Sequence, residues 1–312
     1  MSKIAFLFPG QGAQYVGMAM DFVQADPELE KVLINFDEQN NTDLYKIMKE
    51  GPEEQLKDTK YTQPAILFHS IAALRTVLKE FYIQPDFVAG HSLGEFSALV
   101  ANGVLDLNDA MYLVHKRGKF MIEANDGQPF AMAAIIGPDS ETVAKACEEA
   151  STAGVVVAAN FNTPVQTVIS GSKAGVDQAC SILKETGAKR IVPLPVGGPF
   201  HSPLIQKAAD WLKSEMEEIT FYETHIPVIS NVSAKPVTNT EIIKENLAKQ
   251  VTSSVLWVDS IRFMIDKGVE TFIEFGPKQV LAGMLKKIDR NAKVISIDTI
   301  ETLKAVKEEL EF

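Results

Sequence analysis

Gly90-His91-Ser92-Leu93-Gly94 constrains the fold of this chain more than any other stretch. It is a G-x-S-x-G pattern. An apolar, strand-like run, Phe87-Val88-Ala89, precedes it, and a helix-like run over 95–101 follows. A serine presented on a sharp strand-to-helix turn needs that context. Glycine on both sides removes the Cβ atoms that would block the turn and the close packing of helix on strand. The turn holds Ser92 outward at a helix N-terminus, where the Leu93 backbone N–H can face an anionic oxygen. The pattern predicts a catalytic serine. Its other reading is a plain glycine-rich turn.

Strand and helix alternate around this motif. Residues 3–8 read as a buried strand and Pro9-Gly10-Gln11-Gly12 as a tight loop. Helical patterns follow, the clearest over 62–81, then the strand and turn at 86–94 and a helix over 108–124. That alternation indicates a parallel α/β sheet. The order then changes to strand 130–137, helix 140–151, strands 155–159 and 166–170, helix 173–186 and strand 189–194. This β-α-β-β-α-β order is the ferredoxin-like arrangement. Asn125-Asp126-Gly127-Gln128-Pro129 enters it and Pro195-Val196-Gly197-Gly198-Pro199 leaves it, both rich in turn residues. The expected domains are a catalytic core over 1–125 and 198–312 and a smaller unit inserted at 126–197. Beyond the insert the pattern predicts a helix over 203–219, a strand at 227–230 and two helices across 240–267. A strand at 270–274, a helix to 288, a strand at 294–297 and a helix over 303–310 complete the chain.

The chain has 312 residues, 46% hydrophobic and 23% charged, as expected of a soluble globular protein. No run of about 18 apolar residues is present to span a membrane, and no signal-peptide pattern opens the chain. A cytoplasmic setting is expected. The net charge of −11 argues against a nucleic-acid partner. Cys147 and Cys180 form no metal or redox motif and read as buried free thiols in helices.

A serine hydroxyl needs a base within hydrogen-bond reach near pH 7. The chain has five histidines. His201, in Gly197-Gly198-Pro199-Phe200-His201-Ser202-Pro203, lies at the junction of insert and core, where a ligand cleft is expected. His69 and His115 fall inside helical segments and read as packing residues, while His91 flanks the serine and is a candidate lining residue. Arg117 falls on the apolar stripe of its helix with Ala110, Leu113, Val114 and Met121, and Lys116 and Lys119 fall away from it. A guanidinium on an inward face needs an anionic partner. That partner is either an internal carboxylate or a carboxylate on the substrate, held in a bidentate way. Gln11, in the first strand-to-helix loop, is either a plain turn residue or the second backbone donor to the oxygen that Leu93 faces. Asn160 and Asn162 flank a strand end, so they read as turn formers or as candidates for substrate contact.

Gly10-Gln11-Gly12-Ala13-Gln14, Gln63-Pro64-Ala65, residues 90–99, Arg117-Gly118, residues 197–201 and Phe275-Gly276-Pro277 occur in an order and spacing that is joint and specific. Together they resemble the malonyl-CoA:acyl carrier protein transacylases of bacterial type II fatty acid synthesis, over nearly the whole chain. The resemblance implies an α/β-hydrolase-like core with a ferredoxin-like subdomain. It implies that Ser92 is acylated and that His201 is the base. It also implies that the backbone carbonyl of Gln250 orients the imidazole in place of an acidic residue. Gln11 and Leu93 would form the oxyanion hole and Arg117 would hold the malonyl carboxylate. The partners implied are malonyl-CoA and acyl carrier protein, with no metal or redox cofactor and a monomeric state. Two positions depart from the family: Lys278 and Val165 stand where glycine is common, which bears on loop shape. Three basic clusters are candidates for an acidic carrier: Lys189-Arg190, Lys286-Lys287 with Arg290, and Lys116 with Lys119. A polyketide or polyunsaturated fatty acid transacylase would share these motifs. A serine esterase would share the serine and the histidine but has no need of an inward Arg117. A non-catalytic acyl-binding subunit could lose the nucleophile, yet Ser92 and His201 are both present.

Overall fold

The computed structural model describes residues 3–310, so the outermost residues of the expected core, 1–2 and 311–312, lie outside the described residues. Among the described residues there are ten strands: β1 (Lys3–Phe8), β2 (Phe87–Gly90), β3 (Phe130–Ile136), β4 (Val156–Thr163), β5 (Gln166–Ser172), β6 (Arg190–Pro193), β7 (Val228–Ile229), β8 (Pro236–Val237), β9 (Val269–Phe275) and β10 (Lys293–Ile297). They form a six-stranded sheet in the order β10-β9-β1-β2-β7-β8 and a four-stranded sheet in the order β4-β5-β3-β6. The first is parallel except for β8, which pairs antiparallel with β7; the second is antiparallel throughout.

The sequence of β1 explains its central place. Period-two alternation sends Ile4, Phe6 and Phe8 into one hydrophobic cluster and Ala5 and Leu7 into another on the opposite face. A strand apolar on both faces belongs inside a helix-covered parallel sheet. The register places Phe8 beside Gly90, so the loop after β1 and the turn after β2 leave the sheet side by side at its carboxyl end. Crevices at that end of parallel strands are the usual ligand sites.

The antiparallel sheet also has two working faces. Ala133, Ile135, Val156 and Ile169 pack under helices Ser140–Ala150 and Lys173–Glu185. Met132, Ala134 and Val168 face the other way and join the large core of the parallel unit.

Some boundaries differ from expectation. The strand expected to end at residue 159 runs on to Thr163, so Asn160 and Asn162 are buried strand residues and not turn residues. The extension is supported from outside the unit: Val255 N–H donates to Ala159 O and Phe161 N–H to Val255 O, at 2.8 and 3.0 Å. No local pattern reveals such a partner. The helix expected over 203–219 is a short 3-10 turn, Pro203–Ile205, followed by helix Gln206–Glu217. The helix expected over 303–310 is likewise split, into Ile300–Ala305 and a 3-10 turn, Lys307–Leu310. Cys147 is buried as expected, whereas Cys180 is only half-buried. Lys278 sits at φ 61°, a left-handed conformation that glycine takes without strain, while its Nζ donates to the Gln14 carbonyl at 3.3 Å. Among the described residues no helix is long and apolar enough to cross a membrane.

Candidate active site

The turn after β2 is built as tightly as its glycines suggest. A Cβ on Gly90 would lie 1.8 Å from the Gly94 carbonyl oxygen, and one on Gly94 would lie 2.1 Å from that of Phe8. Ser92 between them is left-handed, at φ 53°. Such backbone costs about 1–3 kcal/mol and persists only where its surroundings over-determine it. Asn231 does so: its Oδ1 accepts from the Ser92 N–H at 2.7 Å and its Nδ2 donates to the Gly90 carbonyl at 2.7 Å. One buried amide therefore clamps both sides of the turn.

The Ser92 hydroxyl lies 2.8 Å from His201 Nε2, and His201 Nδ1 lies 2.8 Å from the Gln250 carbonyl oxygen. A carbonyl can only accept, so Nδ1 carries the proton and Nε2 is left as the acceptor facing the serine. His201 is buried and left-handed, at φ 58°. Burial first, and then the Arg117 charge, depress its pKa from 6.5 to about 3. The imidazole is therefore neutral, the form a base requires, across the physiological range.

This depression sets a pH dependence of stability. Between pH about 3 and 6.5 the unfolded chain takes up a proton at this histidine that the folded chain does not. Stability linked to His201 is thus complete above about pH 6.5 and is lost as pH falls toward 3. His201→Asn, which tolerates left-handed backbone, removes the titrating group. Urea unfolding of this variant should show a shallower loss of stability from pH 7 to pH 5 than the parent. Parallel curves would contradict the assignment.

Arg117 is 1% exposed. Its Nη1 donates to Gln63 Oε1 at 2.8 Å, and its Nη2 donates to Gln250 Oε1 at 2.8 Å and to Ser92 Oγ at 3.1 Å. Its Nε is buried without a partner. Among the described residues no carboxylate forms a salt bridge with this guanidinium; the carboxylate of Glu95 acts on it by charge and through Gln250. Burial lowers its pKa to about 10, partly offset by the charge of Glu95, and it stays cationic at neutral pH. Glu95 is also buried, and desolvation raises its carboxyl to about 7. Glu95 Oε2 accepts from Gln250 Nε2 at 2.7 Å and from the Asn231 N–H at 3.2 Å. Two side-chain amides and a carboxylate thus tie the guanidinium to the serine turn.

Ser92, His201 and Arg117 open into a cavity of about 180 Å³ between the two sheets. Gln11 and Leu93 line it beside Ser92, and among the described residues neither backbone N–H has an acceptor in the protein. Both are suited to receive an oxyanion. The Gln11 side chain points elsewhere, its Nε2 donating to Thr59 Oγ1 at 3.3 Å. His91, Asn160 and Asn162 line the same cavity, and His91 Nε2 lies 2.8 Å from Asn162 Oδ1. Met132 and Val168 of the antiparallel sheet and Met284 supply apolar wall. Among the described residues no three His, Cys, Asp or Glu side chains cluster as metal ligands.

Some residues identified from the sequence lie away from the site. His69 is buried beside Asp298, at 3.3 Å, and His115 Nδ1 lies 2.9 Å from the Lys60 carbonyl. Of the basic clusters, Lys116 pairs with Glu215 and Lys119 with Glu123. Lys189, Arg190, Lys287 and Arg290 are exposed and make no salt bridge among the described residues. Asn231 and Glu95 were not singled out from the sequence. Glu95 had a signal: it is the sole charge on the helix Gly94–Ala101, in its first turn. Asn231 had none, since its partners lie 139 and 141 residues away.

A hydroxyl on an imidazole acceptor, with unused N–H donors and a fixed cation around it, suits acyl transfer through serine. In keeping with that class, residues 5–306 match the family described as Acyl transferase domain. The malonyl CoA-acyl carrier protein transacylase of Bacillus subtilis (strain 168) is 47% identical over 304 residues, covering 97% of this chain and 96% of that protein. Its namesake from Escherichia coli (strain K12) is 45% identical over 288 residues, covering 92% and 93%. The chain belongs to the malonyl-CoA:acyl carrier protein transacylase family. A solved malonyl-transacylase, in complex with its type II PKS acyl-carrier protein, superposes with a TM-score of 0.94 at 38% identity, over 99% of this chain and 100% of that one.

Proposed function

We propose that the protein transfers the malonyl group of malonyl-CoA to the phosphopantetheine thiol of acyl carrier protein, through a malonyl ester on Ser92, in fatty acid biosynthesis. The observation that carries this reading is the buried Arg117. It is a cation 3.1 Å from the Ser92 hydroxyl, with its Nε–H unpaired and, among the described residues, no carboxylate within salt-bridge distance.

His201 Nε2 takes the Ser92 proton as Oγ attacks the thioester carbonyl. The Gln11 and Leu93 N–H groups receive the developing oxyanion, each donor being worth about 3–4 kcal/mol in comparable sites. The C–S bond breaks and CoA leaves as its thiol with the proton from His201. The carrier thiol then attacks the ester by the same route in reverse, and Ser92 regains its proton. Arg117 holds the malonyl carboxylate through both steps. His91, Asn160 and Asn162 border the acyl group. The chemistry is nucleophilic throughout and uses no metal or redox cofactor; CoA enters with the substrate.

We read residues 1–125 and 198–312 as an α/β-hydrolase-like core and 126–197 as an inserted ferredoxin-like unit. The separate hydrophobic cluster of that unit and its strand order support this division. A cytoplasmic monomer is the setting that fits. The exposed cations Lys189 with Arg190, and Lys286 and Lys287 with Arg290, are the surfaces suited to an acidic carrier. The likeness to the polyketide complex favours one second reading, in which the carrier serves polyketide synthesis.

Intact-mass measurement tests the cycle. Mixing with malonyl-CoA should add one malonyl group, and acyl carrier protein should remove it. No adduct, or an adduct that the carrier leaves in place, would contradict the reading.

A further inference from the structure

Glu95 touches neither the cavity nor the reacting serine hydroxyl, yet it is a buried carboxylate on the first turn of the helix that follows the serine turn. Gln250 stands between it and Arg117. The amide of Gln250 has one donating and one accepting end, so its orientation determines what Arg117 meets. With Nε2 on Glu95 Oε2 at 2.7 Å and on the Ser92 carbonyl at 3.0 Å, Oε1 is turned to Arg117 Nη2 at 2.8 Å. The opposite orientation would set an NH₂ group against the guanidinium, two donors face to face in a buried site. Gln63 Oε1 fixes the other nitrogen, Nη1.

We infer that Glu95 is a positioning residue for substrate selection: by accepting from Gln250 it fixes the polarity of that amide and so holds the Arg117 guanidinium in place for the substrate carboxylate. The same Glu95 oxygen takes the Asn231 N–H, so the clamp on the serine turn and the aim of the arginine share one anchor. This inference rests on the reading of Arg117 given above. An accepting oxygen at this position is the requirement, and the charge is not. Gln at residue 95 can supply that oxygen, whereas Met, of similar shape, cannot.

The test is the ratio of kcat/KM for acylation by malonyl-CoA to that by acetyl-CoA. A residue that only supports the fold lowers both rates together and leaves the ratio unchanged. Glu95→Met should lower the ratio about tenfold, the scale of one misplaced hydrogen-bonding partner. Glu95→Gln should hold it within about threefold. An unchanged ratio in Glu95→Met, or an equal fall in both variants, overturns the inference. If Glu95→Met does not fold, Gln250→Met reads the same link from its other end and keeps the backbone carbonyl used by His201. Its ratio should fall about tenfold too, and an unchanged ratio is again fatal. Arg117→Ala in the same assay separates two failures. A malonyl preference that survives Arg117→Ala refutes the role of the arginine. One lost there but kept in Glu95→Met refutes the role of Glu95 alone.

Discussion

Ser92→Ala should take up no malonyl group from malonyl-CoA, and turnover should fall by on the order of 10⁴–10⁶-fold. The hydroxyl is the atom on which His201 Nε2 and Arg117 Nη2 converge, at 2.8 and 3.1 Å. Removing it leaves the base and the oxyanion donors with nothing to activate. The fold should survive. The Ser92 backbone is held by Asn231 through main-chain atoms that alanine also has. Arg117 Nη2 keeps Gln250 as an acceptor. A loss of about 1 kcal/mol or less in urea unfolding is expected. Stable malonylation of Ser92→Ala, seen by intact mass, would place the nucleophile elsewhere.

Arg117→Ala should abolish the preference for malonyl-CoA. Malonyl and acetyl groups differ by one carboxylate, and a fixed cation in the acyl cavity is what can read that difference strongly. Breaking a buried charge pair costs about 3–5 kcal/mol, so malonyl transfer should drop by at least about a hundredfold. Acetyl-CoA should become a comparable or better substrate. Some stability will go as well, about 1–3 kcal/mol, because the buried Gln63 and Gln250 side-chain oxygens lose their donor. The ratio of the two substrates is therefore the decisive readout. Arg117→Lys should recover little, since an ammonium cannot reach Gln63, Gln250 and a carboxylate together as the planar fork does. A variant without Arg117 that still prefers malonyl-CoA would make the arginine a structural element.

The parts of the site legible in the sequence are those with a local signature. The serine turn shows in five residues because its geometry demands glycine on both sides. Arg117 shows because helical periodicity places a charge on an apolar stripe. The link from His201 to Gln250 came from resemblance, since a backbone carbonyl leaves no mark in residue identity. Asn231 and the side chain of Gln250 act through partners far along the chain, and a lone buried amide looks like any surface one. The fold shows the same division. Strands β1 and β3 carry apolar runs long enough to read, whereas β8 has two residues, Pro236 and Val237, and only its pairing with β7 defines it. The extra length of β4 likewise depends on Val255, nearly a hundred residues on.

The order of the six-stranded sheet has a bearing on synthesis. β1 lies between β2 and β9, so one of its edges waits for a strand far along the chain before both are paired. Asn231 and Gln250, which hold the serine turn, also lie 139 and 158 residues beyond Ser92. A growing chain emerges from its N-terminus at about 5–20 residues per second, and such distant pairings form late. A nascent or truncated chain ending before Asn231 carries the serine without the frame that makes it reactive.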